Sequence, residues 1–257
     1  MCTATWMKGD GFRTFLFTRD EKTSRGIESP PGHRPNSNSP SFLSPLDPDS
    51  GGTWIAVNEY GLIAAVLNNY DAGNDASENK SSHNPPISRG TLPLVAVAQK
   101  TVNYAAGAIE ELNQQSTFKP FLMLLLGTEE EDEGRLLIWD GTQLANKPLS
   151  SAKQPITTSS WKGPEVCSFR KELFHKTTGG STRLDLLLEY HGFLDVEHPA
   201  WGPTMIRDDA NTRSMSQIRI GTHEVSFRHQ LFDRQACAYL EPSEVRLRRK
   251  IAGPVSS

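Results

Sequence analysis

The chain has 257 residues, long enough to bury a substantial core as one large domain or two small ones. Its 27 Lys and Arg against 30 Asp and Glu leave a formal net charge of −3, which offers no electrostatic case for nucleic acid or an anionic membrane surface. Three cysteines (Cys2, Cys167 and Cys237) without CxxC spacing, and seven scattered histidines, argue against a disulfide framework or a structural zinc site, so neither metal nor cofactor is expected. Lys8, Asp10 and Arg13 interrupt any early signal-like run, and the longest apolar stretch, 121–126, is strand-sized rather than membrane-spanning. The expectation is a cytoplasmic protein of a reducing compartment with no membrane span.

Residues 2–7 (CTATWM) and 13–18 (RTFLFT) are rich in β-branched and aromatic residues and flank Lys8-Gly9-Asp10-Gly11. They read as a hairpin that sets Cys2 at the outer end of one strand and Arg19-Asp20 at the end of its partner. Residues 22–50, with many Pro, Ser, Gly and Asn, read as a long loop. Gly51-Gly52-Thr53-Trp54 enters a strand, with the two glycines and Trp54 in structural roles. Asn58-Glu59-Tyr60-Gly61 turns, and 62–67 returns as a strand buried on both faces, closed by Asn68-Asn69-Tyr70.

Residues 71–90 read as a second long loop. Thr91 is placed to cap one helix running to about Asn113, with Pro93 in its first turn and Leu94, Val95, Ala98, Val102, Ala105, Ala106, Ile109 and Leu112 on one face. Strands at 120–127 and 135–140 flank an acidic hairpin tip at 129–133. Helices are expected at about 164–177 and 183–191, then strands near 213–220 and 223–230 joined at Gly221-Thr222. Residues 243–257, with Arg246, Arg248, Arg249 and Lys250, read as a solvated charged tail. Antiparallel hairpins with helices between them make the chain α+β rather than alternating βαβ.

The residue with most chemical content is Cys2. Its side chain is small enough for aminopeptidases to strip Met1, which would put a thiol and a free α-amine on one residue. An α-amine has an ordinary pKa of about 7.7–8.0, so nucleophile and base arrive together.

Three segments converge on a family. The opening MCTATW, the FTRDE of residues 17–21 and the GGTWIAVNEYGLIAAVLNN of 51–69 resemble the NRDE family, whose eukaryotic members are called transport and Golgi organisation protein 2. Thr18 stands where the naming motif has Asn, while Arg19, Asp20 and Glu21 are kept. Weaker matches follow at 88–90, 157–161 and 205–214. The family is similar to N-terminal nucleophile hydrolases of the bile-salt hydrolase and penicillin V acylase branch. The resemblance therefore implies a four-layer αββα sandwich in one domain, with the nucleophile at the start of a central strand.

It further implies roles. Cys2 attacks an amide or ester carbonyl, Arg19 favours the thiolate, and Asp20 orients the α-amine, with Glu21 the alternative if the register slips. Asn68 or Asn69 donates to the oxyanion. A second asparagine of the relatives falls on Thr158-Ser159-Ser160 here, so Ser159 would offer a hydroxyl instead. Asp208 and Asp209 end a strand or turn nearby, and Cys167 and Cys237 read as small, partly buried thiols. The implied activity is cleavage of a small-molecule non-peptide amide, ester or thioester through an acyl-enzyme. The alternative is a non-catalytic protein that binds or moves a small hydrophobic ligand such as haem or lipid. A homo-oligomer is compatible with either, because relatives of the hydrolase branch often assemble.

Overall fold

The structure, a computed structural model, describes residues 1–9, 12–34, 39–72, 86–128, 134–149, 154–181 and 183–251. Asp10 and Gly11 of the first turn, most of the expected 71–90 loop, the acidic tip 129–133 and the last six residues of the expected tail lie outside the described residues. The first strands are β1 (Cys2–Gly9), β2 (Phe12–Lys22), β3 (Ser29–Arg34), β4 (Phe42–Leu46), β5 (Ile55–Asn58) and β6 (Ile63–Asn68). Helices α1 (Leu92–Val97) and α2 (Val102–Gln115) precede β7 (Phe121–Leu126), β8 (Arg135–Trp139), β9 (Leu144–Pro148) and β10 (Ile156–Thr158). Then come α3 (Gly163–Thr178), α4 (Leu184–Gly192), β11 (Ala210–Ile220), β12 (Glu224–Asp233), β13 (Ala238–Tyr239) and β14 (Ser243–Arg248).

The chain forms two compact units, Met1–Gly26 with Ser151–Arg219 and Phe227–Glu244, and Ile27–Ser150 with Ile220–Ser226 and Val245–Ser257. One sheet runs β10-β1-β2-β11-β12-β13, with β14 also on β12; the other runs β3-β4-β5-β6-β7-β8-β9. The sequence is thus α+β, as its hairpin pattern predicts.

In the first unit β1 and β2 pair antiparallel from Cys2↔Arg19 to Gly9↔Phe12, so the expected hairpin forms. Strand alternation puts Thr3, Thr5 and Met7 on one face and Cys2, Ala4 and Trp6 on the other. The first face meets α3 and α4. At its turn end Met7, Leu16, Phe174, Leu187, Tyr190 and Met215 form an apolar cluster. Each such large side chain contributes about 1.5–3 kcal/mol by leaving water. Helix α3 ends at Gly179, whose φ of 57° is the left-handed geometry of a helix C-cap, with its N–H on the His175 carbonyl at 2.9 Å.

In the second unit α1 and α2 pack on the sheet through β5, β6, β7 and β8. β6 is buried on both faces from Ile63 to Leu67, as its continuous apolar run predicts. The Gly51-Gly52 strand entry is explained sterically: a Cβ on Gly52 would lie 2.7 Å from the Gly90 backbone.

Four expectations needed correction. Residues 22–50 are not a loop throughout, since they supply β3 and β4. The sequence predicts no strand between 141 and 163, yet β9 pairs with β8 and the short polar β10 with β1.

The single helix from Thr91 is two helices. Thr91 makes no side-chain cap, whereas Thr101 accepts from the Tyr104 N–H at 3.3 Å and starts α2. The Asn58 amide donates to the Val97 and Gln99 carbonyls at 3.0 and 2.6 Å, satisfying acceptors that the break leaves open. The break shifts the buried face of α1 to Leu92, Ala96 and Val97.

Finally, 243–248 are a strand, and the residues after it are held in place. Arg249 donates to the Gly221 carbonyl and to Thr128 Oγ1 at 3.0 Å each, and Lys250 pairs with Glu59 at 3.0 Å. Among the described residues no helix is long and apolar enough to cross a membrane.

Candidate functional site

Cys2 begins β1 with a partner on either side, Arg19 on β2 and Thr158 on β10. Met1 continues the pairing: its amine donates to the Asp20 carbonyl at 3.3 Å and its carbonyl accepts from the Asp20 N–H at 3.0 Å. The thiol is buried, and burial pushes its pKa above the ordinary value. The chain's terminal ammonium and the Arg19 guanidinium oppose that push, while the Asp20 carboxylate adds to it.

Asp20 is the buried carboxylate of the pair that the sequence leaves open. Thr212 donates to Oδ1 at 2.7 Å and Arg170 Nη2 to Oδ2 at 3.3 Å. Burial pushes the Asp20 carboxyl up, against the pull of Arg170. Glu21 instead lies at the surface, where it accepts from Arg19 Nη2 at 3.4 Å and the Lys22 N–H at 2.9 Å.

Arg170 was not anticipated. It sits on the buried stripe of α3 with Val166, Phe174 and Thr178 and is fully buried. Besides Asp20 it donates to Thr3 Oγ1 at 3.0 Å, Thr157 Oγ1 at 3.2 Å and the Trp201 carbonyl at 3.1 Å. One guanidinium thus ties α3 to β1, β2 and β10. Burial of this ion pair is tolerated because its hydrogen-bonding groups find partners. A signal was present in the sequence: an arginine four residues from Val166 and four from Phe174 falls on an apolar helical face. His191, from α4, was also missed. Thr5 and Thr18 bond its two ring nitrogens at 2.8 and 2.6 Å, and burial, then Arg170, lowers its pKa to about 3, so the ring is neutral.

Ser159 follows Thr158, the partner of Cys2, and so arrives beside Met1. Its hydroxyl lies 3.1 Å from Met1 Sδ, donates to the Trp161 carbonyl at 2.5 Å and accepts from the Trp161 N–H at 3.2 Å. Cys2, Arg19, Asp20 and Ser159 therefore converge within the first unit. Asn68 and Asn69 belong to the second. Asn68 ends β6 opposite Phe121 and donates to the Tyr70 hydroxyl at 2.6 Å; the Asn69 amide donates to the Trp139 carbonyl at 3.1 Å.

Asp209 takes a two-pronged bond from Arg207, at 2.9 Å to Nε and 2.5 Å to Nη2, whereas Asp208 is exposed. Cys167 is partly buried, as expected, but Cys237 is exposed at a turn with φ 50°. Among the described residues no group of three His, Cys, Asp or Glu side chains is placed to hold a metal ion.

No curated protein matches this sequence. The fold is similar to that of an N-acylethanolamine-hydrolyzing acid amidase ortholog from Caenorhabditis elegans, with a TM-score of 0.55 and 10% identity over 85% of this chain and 92% of that one. It is also similar to conjugated bile acid hydrolase from Clostridium perfringens. A cysteine-to-alanine mutant of that enzyme gives a TM-score of 0.51 at 11% identity, covering 98% of this chain and 97% of that one. An arginine-to-leucine variant gives 0.54 at 11% identity, covering 100% and 99%. At such identities the likeness shows the fold, which is that of the N-terminal nucleophile hydrolases. The family Transport and Golgi organisation 2 matches residues 1–218, and the chain belongs to that family.

Proposed function

We propose that this protein is a cysteine amidohydrolase whose nucleophile is created by removal of Met1. Water adds across the Met1–Cys2 amide in an aminopeptidase reaction, releasing methionine and leaving an α-amine on Cys2. That amine takes the thiol proton, and the thiolate attacks the carbonyl carbon of a non-peptide amide, ester or thioester. The C–N bond of an amide breaks as the leaving amine collects the proton from the Cys2 ammonium. A second water hydrolyses the thioester, releases the acid and restores the thiol. Arg19 favours the thiolate and Asp20 orients the amine. Asn68 is the proposed oxyanion donor on the strength of the family resemblance.

The observation that carries the reading is the strand end itself. Cys2 faces Arg19, and the next pair in register joins Met1 to Asp20, a carboxylate held by Arg170 and Thr212. Intact mass of protein from its native host is expected to be one methionine light. Iodoacetamide is then expected to label Cys2 ahead of Cys237, the exposed thiol. With Met1 retained the order reverses, because burial keeps Cys2 protonated. Native protein that keeps Met1 overturns the proposal.

A second reading, a non-catalytic binder of a small hydrophobic ligand such as haem or lipid, is favoured by Ser159. Its hydroxyl is committed to the Trp161 carbonyl and so is a poor substitute for a free amide donor. On that reading Cys2→Ala leaves ligand binding unchanged.

A further inference from the structure

Met1 is not a loose end. The residue is 7% exposed and packs with Met205 and Ala210. Its sulfur lies 3.1 Å from the Ser159 oxygen, whose proton goes to the Trp161 carbonyl, and meets one donor, Arg207 Nη1 at 3.7 Å. A thioether is a weak acceptor, and a guanidinium is a strong, permanently charged donor. The Arg207 side chain is only 13% exposed, and its Nε and Nη2 are engaged by Asp209. Its remaining nitrogen therefore points from a nearly dry position at an atom that uses it poorly. The guanidinium also lies 5.8 Å from the centre of the Trp161 ring, which Lys162 Nζ covers from 5.0 Å. Asp209 balances Arg207, while Lys162 has no carboxylate partner among the described residues. The cluster is thus net positive.

We propose that the Met1 side chain occupies a carboxylate subsite that methionine removal opens. The group it takes is a short unbranched apolar chain ending in a carboxylate, with the chain along Met205 and Ala210 and one oxygen on Arg207 Nη1. That oxygen replaces a weak contact with sulfur by a shorter, charge-assisted hydrogen bond. This rests on the reading that Met1 is removed, and it specifies the substrate class: amides with a short carboxylate-bearing arm on one side of the scissile bond.

The test titrates n-butyrate, with butyramide as the neutral comparator, into full-length protein prepared with and without Met1, both verified by intact mass. Methionine retention is achieved by inhibiting the aminopeptidase during expression. Butyrate is expected to bind the Met1-free protein at least tenfold tighter than the Met1-retained protein and than butyramide binds. Arg207→Met should remove that difference, and Arg207→Lys should restore part of it, with thermal melts confirming that both variants fold. Equal butyrate affinity with and without Met1, or affinity unchanged in Arg207→Met, overturns the subsite. Cys2 alkylation is measured on the same samples. Selective alkylation without butyrate preference leaves the nucleophile standing and removes the subsite; butyrate preference without selective alkylation does the reverse.

Discussion

β1 and β6 are both inner strands, paired on either side and buried along most of their length, yet different forces hold them. β6 is aliphatic, and its neighbours Leu124 and Leu125 on β7 are fully buried. Its stabilisation is hydrophobic, non-directional and tolerant of small shifts. β1 carries Thr3 and Thr5 on the face that meets the helices, and there the packing changes along the strand. Near the turn it is apolar, around Met7, Leu16, Phe174 and Tyr190. Near Cys2 it is a polar layer of Thr3, Thr18, Asp20, Arg170 and His191. Hydrogen bonds are directional, so this layer holds Asp20 and the start of β1 to one geometry. An aliphatic layer of equal area would not do so. The difference shows where the chain trades generic cohesion for position.

The contrast can be broken most sharply at Arg170. Replacing it by Met strands a buried carboxylate, and a loss of about 3–5 kcal/mol in urea unfolding is expected. Adding Asp20→Asn should recover part of that loss, whereas a loss confined to a few tenths of a kcal/mol would show that the polar layer is not a unit. On the other side, Leu124→Ala in β7 should cost about 2–5 kcal/mol by opening a cavity. It should do so without changing the alkylation rate of Cys2; a changed rate would erase the distinction between the two regions.

The polar layer should also respond to acid. His191 is held near pKa 3 in the folded chain but returns to about 6.5 when unfolded. As pH falls from 6.5 towards 3 the unfolded state binds the extra proton. Stability then falls by up to about 1.4 kcal/mol per pH unit from this group. The raised Asp20 pKa acts with opposite sign, contributing stability below its unfolded value that is lost as pH rises through the folded one. His191→Gln should flatten the acid limb of the stability profile, and an unchanged slope would place the acid sensitivity elsewhere. The smallest effect belongs to the second unit's helix cap, where Thr101→Ala should cost about 1 kcal/mol by thermal melt.

Much of the fold was legible where the signal is local. The β1–β2 hairpin, the β5–β6 hairpin, α3 and α4 follow from alternation, turn residues and helical spacing over short windows. β3, β4 and β9 each carry proline, and β10, though wholly β-branched, is three residues long; all four become strands only by pairing with their neighbours. The α1–α2 break was missed because Asn58, on β5, supplies the bonds that satisfy it. For the candidate site the sequence points to Cys2, Arg19 and Asp20; the helical spacing marks Arg170 as buried, but nothing in it pairs Arg170 or Thr212 with Asp20.

The sequence by itself determined that Cys2 starts a strand with Arg19 across from it. A hairpin register counts outward from its own turn, so it is a local property. Only the tertiary structure decided that Asp20 rather than Glu21 is buried, that Arg170 and Thr212 grip it, and that Ser159 and Arg207 meet the Met1 sulfur. Those partners lie 150 and 192 residues from Asp20, and 158 and 206 from Met1. No periodicity spans such separations; the contacts exist because α3 packs on β1 and β2 while β10 and β11 pair on either side of them.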